Sequence, residues 1–497
     1  MRILVRHVDC RRKRQSCDRP TSLGNVPWIN ALTSIANEPM RFLFLIAAVA
    51  LATLVNTKVA QPANAQIAPP DIDPRIYDIA EAASAERIEA DIRTLAGFGT
   101  RHTLSDTLSR TRGIGAARRW IKSEFERIST DCGECLEVFY QRSLVRAANN
   151  DRIPEDTWIV NVVAVQRGSA HPNRYVIMSG DIDSRVTDPM DAESDSPGAN
   201  DNASGMAGTI EAARILTQYE FGSSIVYAGL SGEEQGLFGG AHMADVAREE
   251  EWDIVAVLNN DMIGNIEGLD GVIDNSSFRV FSQPVPATDD LRAHRQRRFF
   301  GGEVDGPSRQ LARYVHRIAD QYFPNLDAKM IYRLDRFGRG GHHTPFNNVG
   351  FPAVRIMETH EQYHRQHENV REENGIAYGD VIEGVNFDYA ATMTSLNAAV
   401  LSALAWAPPA PASVQIGGAV QASTTLRWEE VEDPNLAGYR VHWRDTTAPQ
   451  WQHRRFVGNV LEFTLANVII DNYLFGVSSV GNNGNESPVV FPSDLIR

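Results

Sequence analysis

Five short segments, spread over about 160 residues, carry side chains of the types that can hold metal ions and move protons. They are Gly180-Asp181-Ile182-Asp183-Ser184, Pro197-Gly198-Ala199-Asn200-Asp201-Asn202-Ala203-Ser204-Gly205, Ser231-Gly232-Glu233-Glu234, Asn260-Asp261-Met262 and Gly341-His342-His343-Thr344-Pro345-Phe346. Together they offer the carboxylates and the histidine that a two-metal hydrolase requires. Asp201 suits a bridging position, because small neighbours let its loop turn sharply before a helix; a helix N-cap with Asx-turn chemistry is the other reading of this loop. The adjacent Glu233 and Glu234 point to different sides, so one can bind a metal while the other serves as a base. Asp261 closes an apolar run, where a carboxylate without a partner is costly to bury. His343 completes a nitrogen and oxygen donor set of the kind zinc takes.

The elements that position these groups follow from periodicity. Each segment follows or adjoins an apolar, β-branched run and so falls at the carboxyl end of a strand, where open α/β sheets place their chemistry. Helical spacing covers 85–96, with Ile88, Ile92 and Leu95 on one face, and 113–128, with Ile114, Ala117, Trp120 and Ile121 on another. Strand-like runs occupy 136–140, 158–165, 175–178, 224–228, 254–258 and 353–357, with a helix over 203–219. This alternation predicts an α/β fold with a mostly parallel, mixed sheet flanked by helices. The polar, Gly-rich stretch 264–307 reads as an insertion near the site, and its Arg292, Arg295, Arg297 and Arg298 as a solvated face. Beyond a helix ending near Trp406, Pro408-Pro409-Ala410-Pro411 makes a stiff linker. Short alternating strands over 424–428, 439–443, 463–465 and 473–480 then predict a C-terminal all-β sandwich.

The order and spacing of the five segments resemble the di-zinc exopeptidase family, peptidase family M28, of secreted bacterial aminopeptidases, glutamate carboxypeptidase and the transferrin receptor ectodomain. The resemblance covers roughly residues 75–405 and rests on PGANDNASG and SGEEQGLFG in combination. It implies a zinc exopeptidase fold of the phosphorylase/hydrolase type with two Zn²⁺ ions. Asp201 would be the bridging ligand, Glu233 the general base, Glu234, Asp261 and His343 terminal ligands, and Asp183 a partner behind the first ligand. Tyr363 and His364 fall where relatives carry a Tyr-His pair lining the substrate site. Two positions depart from the family pattern. Asp181 replaces the usual histidine; it remains an oxygen ligand that could admit Mn²⁺. His342 stands where relatives place Asp, as a supporting residue or an extra ligand. The implied activity is aminopeptidase cleavage of peptide substrates. A glutaminyl cyclase-like enzyme, which shares the fold and uses one zinc, and a non-catalytic binding protein are the rival readings.

Composition limits the rest. The formal net charge of −15 over 497 residues argues against nucleic acid, which needs a clustered basic surface. Arg41 followed by an apolar run and ending in Ala63-Asn64-Ala65 reads as a secretory signal peptide over 40–65, so that the mature chain starts at Gln66 and is periplasmic or secreted. An uncleaved anchor is the alternative, although the run is shorter than the ~20 residues a spanning helix needs. Residues 1–39 fit neither a domain nor a signal, and translation from Met40 would remove them. Cys132 and Cys135 read as a small disulfide loop in an oxidising compartment, with a redox-active pair as the other reading. The expected organisation is a catalytic domain over 66–405, a Pro-rich linker over 406–412 and a sandwich over 413–497. In the sandwich, Trp428, Tyr439 and Tyr473-Leu474-Phe475-Gly476-Val477 resemble a fibronectin type III module, which would contact a surface polymer or a protein.

Overall fold

The computed structural model describes residues 67–497. The signal peptide expected over 40–65 and the leader before it lie outside the described residues. Eight strands form one sheet: β1 Leu136–Val145, β2 Thr157–Gln166, β3 His171–Asp181, β4 Ser223–Leu230, β5 Asp253–Asn260, β6 Ser277–Phe281, β7 Asp327–Ile331 and β8 Ala353–Glu358, in the order β1-β2-β4-β3-β5-β8-β6-β7. The centre, β4-β3-β5-β8, is parallel, whereas β1, β2 and the β6–β8 pair run antiparallel. The sheet is therefore more mixed than the strand and helix alternation suggests. The stretch over 264–307 is also more than an insertion, since it supplies β6, paired on both sides.

Both faces of the sheet are covered, and the alternation along each strand shows it. Val176 and Met178 of β3, and Ile225 and Tyr227 of β4, enter one core. Their neighbours Tyr175, Ile177, Val226 and Ala228 enter the other. The first core is closed by helices α1 Pro74–Ala80, α2 Ala85–Ala96, α3 Gly113–Asp131 and α4 Ala203–Leu216, and by the later α7 Pro307–Tyr322 and α8 Phe387–Trp406. The second lies under α5 Phe238–Glu249. Helix α6 Leu291–Phe300 carries the four arginines and buries none of its residues, so these remain a solvated face. α8 is apolar nearly all round because it is buried nearly all round. Among the described residues no helix is long and apolar enough to cross a membrane.

Close backbone approach sets the position of α4. A Cβ on Gly180 at the end of β3 would lie 2.5 Å from the Gly205 carbonyl carbon, and one on Gly205 would lie 2.1 Å from the Asn260 carbonyl oxygen. Only glycine lets the first turn of α4 sit on the ends of β3 and β5. Asn202 caps that turn by accepting from the Gly205 N–H at 3.0 Å. Cys132 and Cys135, after α3, are joined in a disulfide.

Beyond α8, a four-stranded sheet (Gln415–Gly417, Thr424–Arg427, Glu462–Leu465, Asp494–Leu495) faces a three-stranded one (Leu436–Asp445, His453–Gly458, Tyr473–Gly481). Leu426, Trp428, Tyr439, Val441, Phe475 and Val477 fill the space between them. These sheets are joined to the main body by buried charge. Asp305, just before α7, takes Arg313 of α7 at 2.7 Å and Arg444 of the three-stranded sheet at 2.8 Å, with all three side chains at most 2% exposed. Trp451 donates to Gln310 of α7 at 3.1 Å, and His171 meets Asp433 at 2.7 Å. Removing one member of such a cluster strands the others without counter-charge. Asp305→Ala is expected to cost about 3–5 kcal/mol in chemical denaturation. A loss under about 1 kcal/mol would mean that the two guanidinium groups reach water at this junction.

Candidate metal centre

The parallel centre of the sheet brings the acidic segments to one end. Asp181 ends β3, Glu233 and Glu234 follow β4, Asp261 follows β5, and the loop after β8 returns over them. Several residues here hold left-handed backbone conformations: Gly232 (φ 75°), Met262 (φ 66°) and His367 (φ 58°). Such conformations cost of order 1–3 kcal/mol at a residue other than glycine and gather where side chains must be aimed.

Three donors converge. His367 Nε2 lies 3.0 Å from Asp201 Oδ2 and 3.0 Å from Glu234 Oε1. One ligand atom from each of these residues falls within 4.8 Å of the other two. Each is held from behind. The Asn200 and Asp201 N–H groups donate to Asp380 at 2.9 and 2.6 Å. Gln366 Nε2 donates to Asp201 Oδ2 at 3.1 Å. Arg185 Nε donates to Glu234 Oε2 at 2.7 Å. Two carboxylates and an imidazole leave a fourth position open, the pattern of catalytic zinc sites, so the residues present fit one ion. The electrostatics agree. Burial alone would lower the basicity of His367, but the Glu234 and Asp201 carboxylates outweigh it and raise its pKa to about 9. Burial opposes ionisation of Asp201 as well, yet the His367 charge and hydrogen bond hold its carboxyl well below the usual range. The cluster stabilises positive charge at its centre.

Glu233 stands apart from this trio. Its N–H donates to Asp183 Oδ1 at 3.2 Å, and the Glu234 N–H to Asp183 Oδ2 at 3.1 Å. Asp183 also accepts from Thr103 Oγ1 at 2.9 Å. It therefore fixes the turn that carries both glutamates, and does not stand behind Asp181 as the family resemblance implies. No hydrogen bond or ion pair engages the Glu233 carboxylate among the described residues. Burial, then the charges of Glu234, Asp261, Asp181 and Asp201, push its pKa well above the usual carboxylate range.

The remaining expected ligands are engaged elsewhere. Asp181 meets His342 Nδ1 through Oδ1 at 2.5 Å and accepts from Asn202 Nδ2 through Oδ2 at 2.7 Å. Both of its oxygens thus accept a hydrogen bond, and among the described residues it joins no cluster of donors close enough to share an ion. Asp261 forms an ion pair with the fully buried Arg355 at 2.9 Å. Arg355 is itself anchored by Asp335 at 3.1 Å and by the Gly340 carbonyl at 2.8 Å. A guanidinium thus attends Asp261 Oδ2. His343 is the clearest correction. Its Nε2 bonds the Leu334 carbonyl at 2.8 Å, with Asp335 3.5 Å away, and it takes no part in the donor cluster. The imidazole comes instead from His367, beyond Tyr363 and His364. Tyr363 is half exposed in a neighbouring cleft, while the His364 ring packs edge-on against Tyr378 at 5.0 Å. A second histidine within four residues of Tyr363-His364 was the available signal. Nothing in the spacing marks Arg185, Gln366, Arg355 or Asp380 as supports, because their partners are distant in sequence.

The profile of peptidase family M28 matches residues 161–385. The chain is 43% identical over 424 residues to a "Probable zinc metalloprotease" of Leptosphaeria maculans, covering 85% of this chain and 98% of that one. It is 40% identical over 431 residues to another of that name from Pyrenophora teres f. teres, covering 86% and 88%. Among solved structures, LapB from Legionella pneumophila aligns with a TM-score of 0.48 at 17% identity, over 67% of this chain and 76% of that one.

Proposed function

The chain belongs to peptidase family M28, and from that premise we propose that it is an exported zinc aminopeptidase holding one Zn²⁺ ion on Asp201, Glu234 and His367. The observation that carries this reading is the convergence of those three donors beside a fourth carboxylate, Glu233, which has no hydrogen bond or ion pair among the described residues. A two-ion centre has less support, since both Asp181 oxygens are engaged by His342 and Asn202 and Asp261 Oδ2 by Arg355.

When bound, the ion supplies Lewis acidity, which makes water more acidic and polarises a carbonyl oxygen. The chain's own residues do the rest. Glu233 takes a proton from the attacking water and gives it to the leaving amine nitrogen. Asp183 fixes the base relative to Glu234 through the two backbone N–H groups. Arg185 and Gln366 keep the Glu234 and Asp201 carboxylates turned toward His367. Export follows from the N-terminal signal, and the C-terminal sheets, similar to a fibronectin type III module, are assigned to contact with a surface polymer or protein.

A mixed peptide library treated with the chain from Gln66 onward, read by mass spectrometry, tests the proposal. Stepwise loss of N-terminal residues, abolished by a chelator and restored by Zn²⁺, is the expected result. Loss from the C-terminus would make the enzyme a carboxypeptidase. Cyclised N-terminal glutamine without cleavage would replace hydrolysis by the cyclase chemistry. An unchanged library under every metal would favour a binding protein.

A further inference from the structure

A cleft of about 390 Å³ opens beside the metal centre, between β6, β7, the loop over 332–342 and the loop after β8. Its charge is one-sided. Arg279, Arg333, Arg336 and Arg339 line it, and Glu361 is the one carboxylate among its lining residues. Glu361 is already shared, taking Arg279 at 2.8 Å on one oxygen and Arg336 at 2.8 Å on the other. Arg336 has a further neighbour in Asp335 at 3.5 Å, but Asp335 is also held by Arg355. Arg333 and Arg339 have no carboxylate partner among the described residues. Arg333 lies over the Phe337 ring at 5.6 Å, and Arg339 donates to the neutral Gln366 side chain at 3.2 Å.

Two further observations tie this surplus charge to the chemistry. Gln366 links the cleft to the centre, because it accepts from Arg339 and donates to the ligand Asp201 at 3.1 Å. The positive charge of Arg336 also reaches Asp201 and Asp261. The other walls are Phe281, Phe337 and Tyr363, which favour an organic chain over a bare inorganic anion. Guanidinium groups pair with carboxylates through parallel N–H donors, and such charge-assisted bonds are the strong ones.

We propose that this cleft is a substrate subsite for a carboxylate, so that the enzyme prefers peptides bearing an acidic side chain or a free C-terminal carboxylate close to the scissile bond. The proposal rests on the peptidase reading above and names its substrate class. Arg333 and Arg339 are the recognition residues, while Arg279 and Arg336, held by Glu361, form the fixed floor.

Matched peptides test it on the zinc-loaded chain. One pair differs only in Glu against Gln beside the cleaved bond, with an amidated C-terminus; a second pair differs only in a free against an amidated C-terminus. A kcat/KM ratio of roughly tenfold or more in favour of the carboxylate is expected in one pair, in line with hydrogen bonds to charged groups. Which pair shows it identifies the source of the carboxylate. Arg333→Gln and Arg339→Gln together should bring that ratio towards one, through KM more than kcat. Equal turnover within both pairs, or a preference that survives the double substitution, would overturn the subsite while leaving the peptidase intact. Calorimetric titration with N-acetylglutamate against N-acetylglutamine gives a readout independent of turnover. Tighter binding of the glutamate form, lost in the double variant, would uphold the subsite even if no peptide is cleaved; equal binding would refute it.

Discussion

Replacing Glu233 by glutamine lowers turnover by about 10²–10⁴, the loss usual for a missing general acid or base, and leaves the ion content unchanged. The expectation follows from position. Glu233 lies next to Glu234, the proposed ligand, yet outside the donor trio, and its carboxylate forms no ion pair among the described residues. Glutamine keeps the shape of the side chain and cannot accept the proton. The Asp183 anchor acts on the backbone N–H groups and is untouched by the exchange. Turnover and metal analysis on the same purified sample separate the two contributions. A variant that loses the ion along with activity would make Glu233 a ligand; one that keeps full turnover would remove it from the mechanism.

The same segments show how far the sequence can be read. Glu233 and Glu234 follow the buried strand β4 closely, so strand periodicity alone places them at one end of the sheet, whereas Asp201 stands in the loop that leads into α4. His367 lies nine residues past the end of β8, in a loop with a left-handed backbone at the histidine itself. No apolar rhythm runs through such a loop, and the imidazole it delivers cannot be told from its neighbours by spacing. His343 looks the better candidate because it precedes Pro345-Phe346 and a strand. That same context buries it, and a buried imidazole finds the nearest carbonyl, here Leu334. Asp181 is legible only as a ligand in place of the usual histidine, and Asp261 as a buried acid needing a partner. Their partners, His342 and Arg355, come from 161 and 94 residues away, a distance over which one sequence holds no pairing signal. β6 escaped for a related reason, since its flanks are polar and Gly-rich and its five residues gain their place only by pairing with β7 and β8.

His367→Ala abolishes both ion binding and hydrolysis, whereas His343→Ala keeps one ion per chain. The trio of Asp201, Glu234 and His367 is one donor short without the imidazole, and the two carboxylates left behind repel each other. Arg185 already attends Glu234, so the remaining pair offers a divalent ion little more than surface acidity does. His343 sits in the wall beside Asp335; losing it opens a small cavity and a Leu334 carbonyl without its partner, at a cost of about 1–3 kcal/mol in stability. Metal content after dialysis, set beside a thermal melt, distinguishes the two variants. Retention of the ion in His367→Ala would transfer the centre to other donors. Two ions in the unaltered chain would show that Arg355 yields Asp261 to a second metal. One ion in the unaltered chain and none in His367→Ala would leave the Arg355 guanidinium as the positive charge that Asp261 keeps in place of that metal.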